Sequence, residues 1–178
     1  MVDYPWYELI RGLELEQGDL LQDCMRLVLK PELASHLDES EVAGPYTWEK
    51  STGVIISQSC DLAQGRLHDV LFCGVYTPED TFPDSTSKQR RDRLENIRRG
   101  REPGYHLLNK CALPGVEHDF LLVDCCDVFS LPLDFVRAKA ERDGPRARLL
   151  PPYREHLSQA FARFFMRVGL PADIPPFR

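Results

Sequence analysis

Short apolar runs, each closed by a turn or a polar cluster, constrain this chain more than any other feature of its sequence. Val54-Ile55-Ile56 is β-branched throughout and stops on Ser57-Gln58-Ser59-Cys60-Asp61; residues 69–76 (DVLFCGVY), 105–108 and 120–128 supply further runs. Segments of this length, rich in β-branched and aromatic residues and bounded by Gly, Pro and polar clusters, read as strands. After a turn at Gln17-Gly18-Asp19, the apolar positions Leu20, Leu21, Met25, Leu27, Val28 and Leu29 add another strand, although a helical period also fits there. Residues 54–56 and 69–76 are natural antiparallel neighbours. Residues 31–50 read as an acidic, proline-flanked loop. The expected fold is mainly β, of the α+β kind, with five or six short strands.

Two segments break this pattern. Residues 85–103 hold seven Lys/Arg against three acids, with Leu94 and Ile97 as the only apolar anchors. They read as a short basic helix inserted between strands, N-capped by Ser85 or Ser87 and ended by Gly100. Pro151-Pro152 precedes YREHLSQAFARFFMRVG, which reads as an amphipathic helix over 152–169 closed by Gly169 and Pro171. At about 100° per residue, Leu157, Phe161, Phe164, Phe165 and Val168 form one stripe that must pack on the sheet. His156, Arg163 and Arg167 fall at the edge of that stripe, where a helix meets strand ends. A chain of 178 residues with 43% hydrophobic content fits one domain over 1–178, its core at about 15–136.

The net charge of −6 conceals a segregation. Segment 137–178 holds nine Lys/Arg against four acids, so outside it and 85–103 six basic residues face twenty-one acidic ones. The basic segments, Arg90, Arg91, Arg98 and Arg99 among them, are thus candidates for contacting RNA or an acidic protein partner. No stretch reaches the roughly 18–20 apolar residues that span a bilayer, and MVDYPWYELIRG lacks a basic region before an apolar one, so the expected location is the cytoplasm. The six cysteines contain no C-x-x-C pair and read as reduced thiols; His106, Cys111 and His118 are the only loose ligand set, and neither a metal nor a cofactor is expected.

Chemistry concentrates just after the Val54 strand. Cys60 is a candidate nucleophile if a histidine, His68, His106 or His156, and a cation, Arg163 or Arg167, offset the adjacent Asp61. The competing role is a corner in which Ser57, Ser59 and Asp61 bond local backbone. An enzyme of this kind, a hydrolase or transferase, needs Cys60, Asp61, His156 and Arg163 in one crevice. A structural assembly subunit is a third class, with Tyr4, Trp6, Tyr7 and Trp48 as anchors, in a homodimer for example.

The order Gly18-Asp19 before a strand, Val54-Ile55-Ile56-Ser57, Val75-Tyr76-Thr77, the strand at 121–128 and a final helix resembles the PemK/MazF-like toxin family. The stretches SQSCDL and FARFFMRVGLP look like those of uncharacterised bacterial proteins. The toxin resemblance covers about residues 15–170, with the basic segment as an insertion. It implies a small SH3-like β-barrel with a C-terminal helix, a bacterial toxin–antitoxin or phage-defence setting, and RNA as ligand. Ser57, Gln58, Thr77 and Arg167 join the basic segment as binding candidates. Members that cut RNA place an arginine before the second of these strands, where this chain has Ser51-Thr52-Gly53. The resemblance therefore implies binding more than ribonuclease chemistry, unless an arginine from the insertion or the last helix substitutes.

Overall fold

The computed structural model describes residues 4–31 and 46–166. The chain runs through β1 (Tyr7–Ile10), β2 (Leu20–Leu29), β3 (Tyr46–Ile55), α1 (Ser59–Ala63), β4 (Asp69–Tyr76) and α2 (Pro78–Thr81). It continues through α3 (Ser87–Arg98), β5 (Tyr105–Leu108), β6 (Leu121–Pro132), α4 (Leu133–Asp143), β7 (Arg146–Leu149) and α5 (Tyr153–Phe165). The fold is mixed α+β. Five strands form an antiparallel sheet in the order β2-β3-β4-β6-β5, and β1 pairs with β7 in a separate antiparallel ribbon.

The β-branched run at 54–56 is apolar at every position because both faces of the sheet are covered there. Val54 and Ile56 enter one core with Cys73, Val75, Val123 and Leu157, whereas Ile55 enters the other with Val70, Phe72 and Val136. Helix α5 covers the first face through Leu157 and the half-buried Tyr153 and Phe161. Helix α4 covers the second through Leu133, Val136 and Ala140, spaced three and four residues apart. A third cluster seats α3, where Ile97 and Leu94 meet Phe82 and Leu122.

The sheet is open and does not close into a barrel. β2 meets β7 only at an isolated bridge, Asp19 to Arg148, and β1 pairs with β7 alone, so no continuous ladder returns to β5. The cause is a second layer of helix: with α4 on one face and α5 on the other, the sheet buries both faces without curling on itself.

Other expectations shift in detail. Residues 46–50, expected in a loop, are the outer half of β3 and pair with Met25–Leu29. Helix α4 and strand β7 were hidden inside a segment marked only as basic. Its Lys139 is buried and bonds Asp143 one turn on, so a charged residue sits on the covered face. The N-cap of α3 is Thr86, between the two serines expected, in a capping box with Gln89. In α5, Leu157 is buried as expected but Phe165 is 58% exposed, and Arg167 and Val168 lie outside the described residues. Of the N-terminal aromatics, Tyr7 is buried and Trp6 stacks on Tyr153 at 3.7 Å, while Tyr4 is exposed. No helix among the described residues is long and apolar enough to cross a membrane.

Gly74 marks a tight crossing. A side chain there would fall on the carboxylate of Asp127, which accepts from Tyr76 Oη and pairs with Arg26 at 2.5 Å. The β4–β6 ladder shifts register at Cys73/Gly74, and the bulge gives Asp127 its room.

The fold is closed end to end by one buried carboxylate. Asp19, fully buried, accepts from Arg146 Nε at 2.7 Å, from Arg148 Nε, and from Arg148 Nη2 at 3.0 Å. The remaining guanidinium donors go to the Gly12 and Glu14 carbonyls and to Glu16, which also pairs with Arg154 at 2.7 Å. Burial alone would lower the Arg148 pKa, but its bonds to Asp19 outweigh that and hold it above its ordinary value. Removing one member of such a network strands the others without water. Asp19→Ala is expected to cost about 3–5 kcal/mol in urea unfolding, and replacing Asp19, Arg146 and Arg148 together by apolar residues of similar volume to cost less.

Candidate functional site

The SQSCDL stretch is a strand-to-helix corner whose polar groups are largely engaged with backbone. Ser57 Oγ accepts from the Leu71 amide at 2.8 Å, and Ser59 Oγ accepts from the Gln17 amide at 3.1 Å. Gln58, exposed, caps α1 with its carbonyl, which accepts from the Asp61 and Leu62 amides. Leu62 is the buried anchor of this one-turn helix. Cys60 is exposed, and the half-buried Asp61 faces only Arg66, at 3.9 Å.

The last helix crosses the first face of the sheet and carries its candidates away from that corner. Arg154, at its start, packs against Gly18 beside the Gln17–Ser59 contact and is held by Glu16. Arg163 lies nine residues on, about 14 Å along the helix axis, next to Phe164, whose ring rests over Gly104. His156 is exposed, edge-on to Tyr153. Among the described residues no hydrogen bond or ion pair joins Cys60 or Asp61 to His156 or Arg163. Arg167 lies outside the described residues.

The arginines of α3 are mostly spent within the chain. Arg90 pairs with Glu79 at 2.9 Å, Arg93 with Glu102 at 2.6 Å while stacking over Phe82, and both Arg98 and Arg99 with Glu95. The two pairings hold the Glu95 carboxyl down to about 2. Lys88 and Arg91 are exposed and make no ion pair among the described residues. The Arg90–Glu79 pair ties their end of α3 to α2.

Helix α2 borders a groove of about 410 Å³ that brings one sequence candidate together with residues that reasoning passed over. Thr77, N-cap of α2, lines it together with Lys50, Ser51 and Thr52 of β3 and with the carboxylates of Asp80 and Asp143. Thr77 Oγ1 accepts from the Asp80 amide at 3.1 Å and contacts the Asp80 carboxylate at 2.6 Å. Lys50 is 66% exposed, and its one carboxylate partner among the described residues is Asp23 at 3.8 Å. Lys50 and Thr52, two apart on β3, share one face of the strand, and an ammonium beside a hydroxyl suits an anionic oxygen ligand. Lys50 escaped notice because nothing in its local sequence marks it as a strand residue.

His106, on β5, is half-buried on the α5 side, with Nε2 shielded and without a hydrogen-bond partner among the described residues. Burial, and then the nearby His156, lower its pKa to about 4. Cys111 and His118 join only through backbone bonds, and no group of three His, Cys, Asp or Glu among the described residues can hold a metal ion. No family model, curated protein or solved structure matches the chain.

The His106 environment makes an acid-stability prediction. The folded chain favours the neutral ring, so the unfolded chain binds more protons between its ordinary pKa, about 6.5, and the folded value. Stability is full above pH 6.5 and is expected to fall, by on the order of 2–3 kcal/mol, as pH drops towards 4. His106→Leu should flatten that slope in urea midpoints recorded between neutral pH and the carboxylate range.

Proposed function

We propose that the chain is a cytoplasmic RNA-binding module of toxin or phage-defence type, akin to the MazF-like proteins, that binds without cutting. The observation that carries this reading is the groove in which Thr77 faces Lys50, Ser51 and Thr52. Thr77 is the threonine of the resemblance, and Ser51-Thr52 stand where cleaving members have their arginine. In this reading Lys50 supplies the positive charge that holds a phosphate, and the Thr52 hydroxyl hydrogen-bonds one of its oxygens. Lys88 and Arg91, at the end of α3 tied to α2, extend the basic path. Arg90, Arg98 and Arg99 contribute less than the sequence suggests, since their charge is already met by Glu79 and Glu95.

Binding without cutting follows from the same residues. A cleaving site needs a cation fixed where charge develops. Lys50 swings on an exposed stem, and the Thr77 hydroxyl is engaged by its own helix.

The test is fluorescence anisotropy with a labelled single-stranded RNA over a range of salt. Few phosphates are contacted, so a shallow negative salt slope is expected, reduced by about one unit on Lys50→Glu. That variant should weaken binding about tenfold or more, and Lys88→Glu with Arg91→Glu should weaken it further, whereas Arg98→Glu should change little. Absence of binding at low salt, or binding indifferent to Lys50→Glu, would reject the reading.

A further inference from the structure

The outer halves of β2 and β3 form an arm that the rest of the sheet does not support. Pairing between β3 and β4 ends at Thr52, so Tyr46–Ser51 has only β2 beside it. Leu27 lies opposite Trp48, and Leu29 opposite Tyr46. Residues directly opposed across a ladder share a face, so four large apolar side chains stand in one block. Trp48 and Leu29 are each 59% exposed, Leu27 47% and Tyr46 39%, and the two rings meet edge to face at 6.4 Å. A two-stranded ribbon in water is marginal unless further strands or a helix cover its apolar face. Leu27, Leu29 and Trp48 share an open hollow with Val128–Leu131 of β6 and stay largely exposed.

We infer that this face is a homodimer interface, in which the arm of a second copy lies face to face on it about a two-fold axis. The area argues for this occupant. The four side chains present on the order of 400–500 Å², so two copies bury up to about 800–1,000 Å² between them, the size of a small interface that associates weakly and reversibly. A two-fold interface needs a self-complementary patch, and a flat apolar ribbon matches its own copy. The apolar block itself carries no charge: Arg26 is engaged by Asp127 and Glu49, and Lys50, beside the block, has Asp23 at 3.8 Å. The aromatic pair at the centre, flanked by leucines, has the composition of an interface hot spot. The inference does not rest on the RNA reading, because the block excludes Thr77, Ser51 and Thr52.

Sedimentation velocity of the full chain, from low to high micromolar concentration, tests it. The expected species is a dimer of the 20.4 kDa chain. Trp48→Glu and, separately, Leu29→Lys should weaken association by about 30-fold or more, while Phe165→Glu, on another exposed apolar residue, should leave it unchanged. Amide exchange at 25–29 and 46–50 should slow as concentration rises, a readout that does not require the variants to fold. A wild-type monomer throughout the range, or a dimer that Trp48→Glu and Leu29→Lys leave intact, would overturn the inference.

Discussion

A single carboxylate with no access to water sets the terms for the rest of this molecule. Asp19 stands at the start of β2, and its partners Arg146 and Arg148 stand on β7, over 120 residues later. Satisfying a buried anion requires donors that are themselves nearly stripped of water, and the guanidinium's five N–H groups suit that task. The two arginines spread their remaining donors over the Gly12 and Glu14 carbonyls. The irregular segment between β1 and β2 is thereby pinned without regular secondary structure. Glu16 then passes the connection to Arg154 and so to α5. The ribbon of β1 and β7, the start of the main sheet and the last helix are held by one polar junction, and Gly18 lets Leu149 approach at the same point.

The sequence revealed this architecture unevenly, and the unevenness has physical causes. Strand β4, the first part of β6 and the inner half of β3 were legible because both of their faces are largely covered, leaving apolar runs between polar breaks. The outer half of β3, YTWEKS, was not, because it stays largely exposed among the described residues and its pattern is not that of a core strand. Helix α4 was lost among Arg137, Lys139 and Arg142, since a buried lysine neutralised by an aspartate one turn on conceals the apolar stripe of Leu133, Val136 and Ala140. The barrel implied by the family resemblance gave way to an open sheet for a related reason: the helix that replaces curling was the element the charge pattern hid.

The candidate site was legible only in part. A strand ending in Ser-Gln-Ser-Cys-Asp advertises side-chain chemistry, yet a buried strand that turns into a helix exposes amides that need acceptors, and short hydroxyl side chains provide them. Ser57 and Ser59 are spent in this way. Thr77 fits both accounts, as a helix cap and as a groove residue, and sequence alone cannot rank them. What identifies the groove is the neighbour that β3 brings across the sheet: Ser51 and Thr52 lie beside Thr77 because Thr52 pairs with Val75.

Charge offers the clearest contrast between a composition and a structure. Nineteen residues at 85–103 holding seven Lys/Arg suggest a surface built for a polyanion. A helix carrying so many like charges also needs a reason to form, because repulsion between neighbours one turn apart opposes it. Here Glu95 draws Arg98 and Arg99 along the helix, Glu102 draws Arg93, and Glu79 draws Arg90 across to α2. Each pair on an exposed surface contributes little alone, but together they hold a helix with only two apolar anchors in one register against Phe82 and Leu122. Folding such a segment therefore removes most of its charge from binding. What remains for an anionic ligand is the small set that the fold leaves unpaired or nearly so: Lys88, Arg91 and Arg101 of this segment, and Lys50 at the groove that α2 borders.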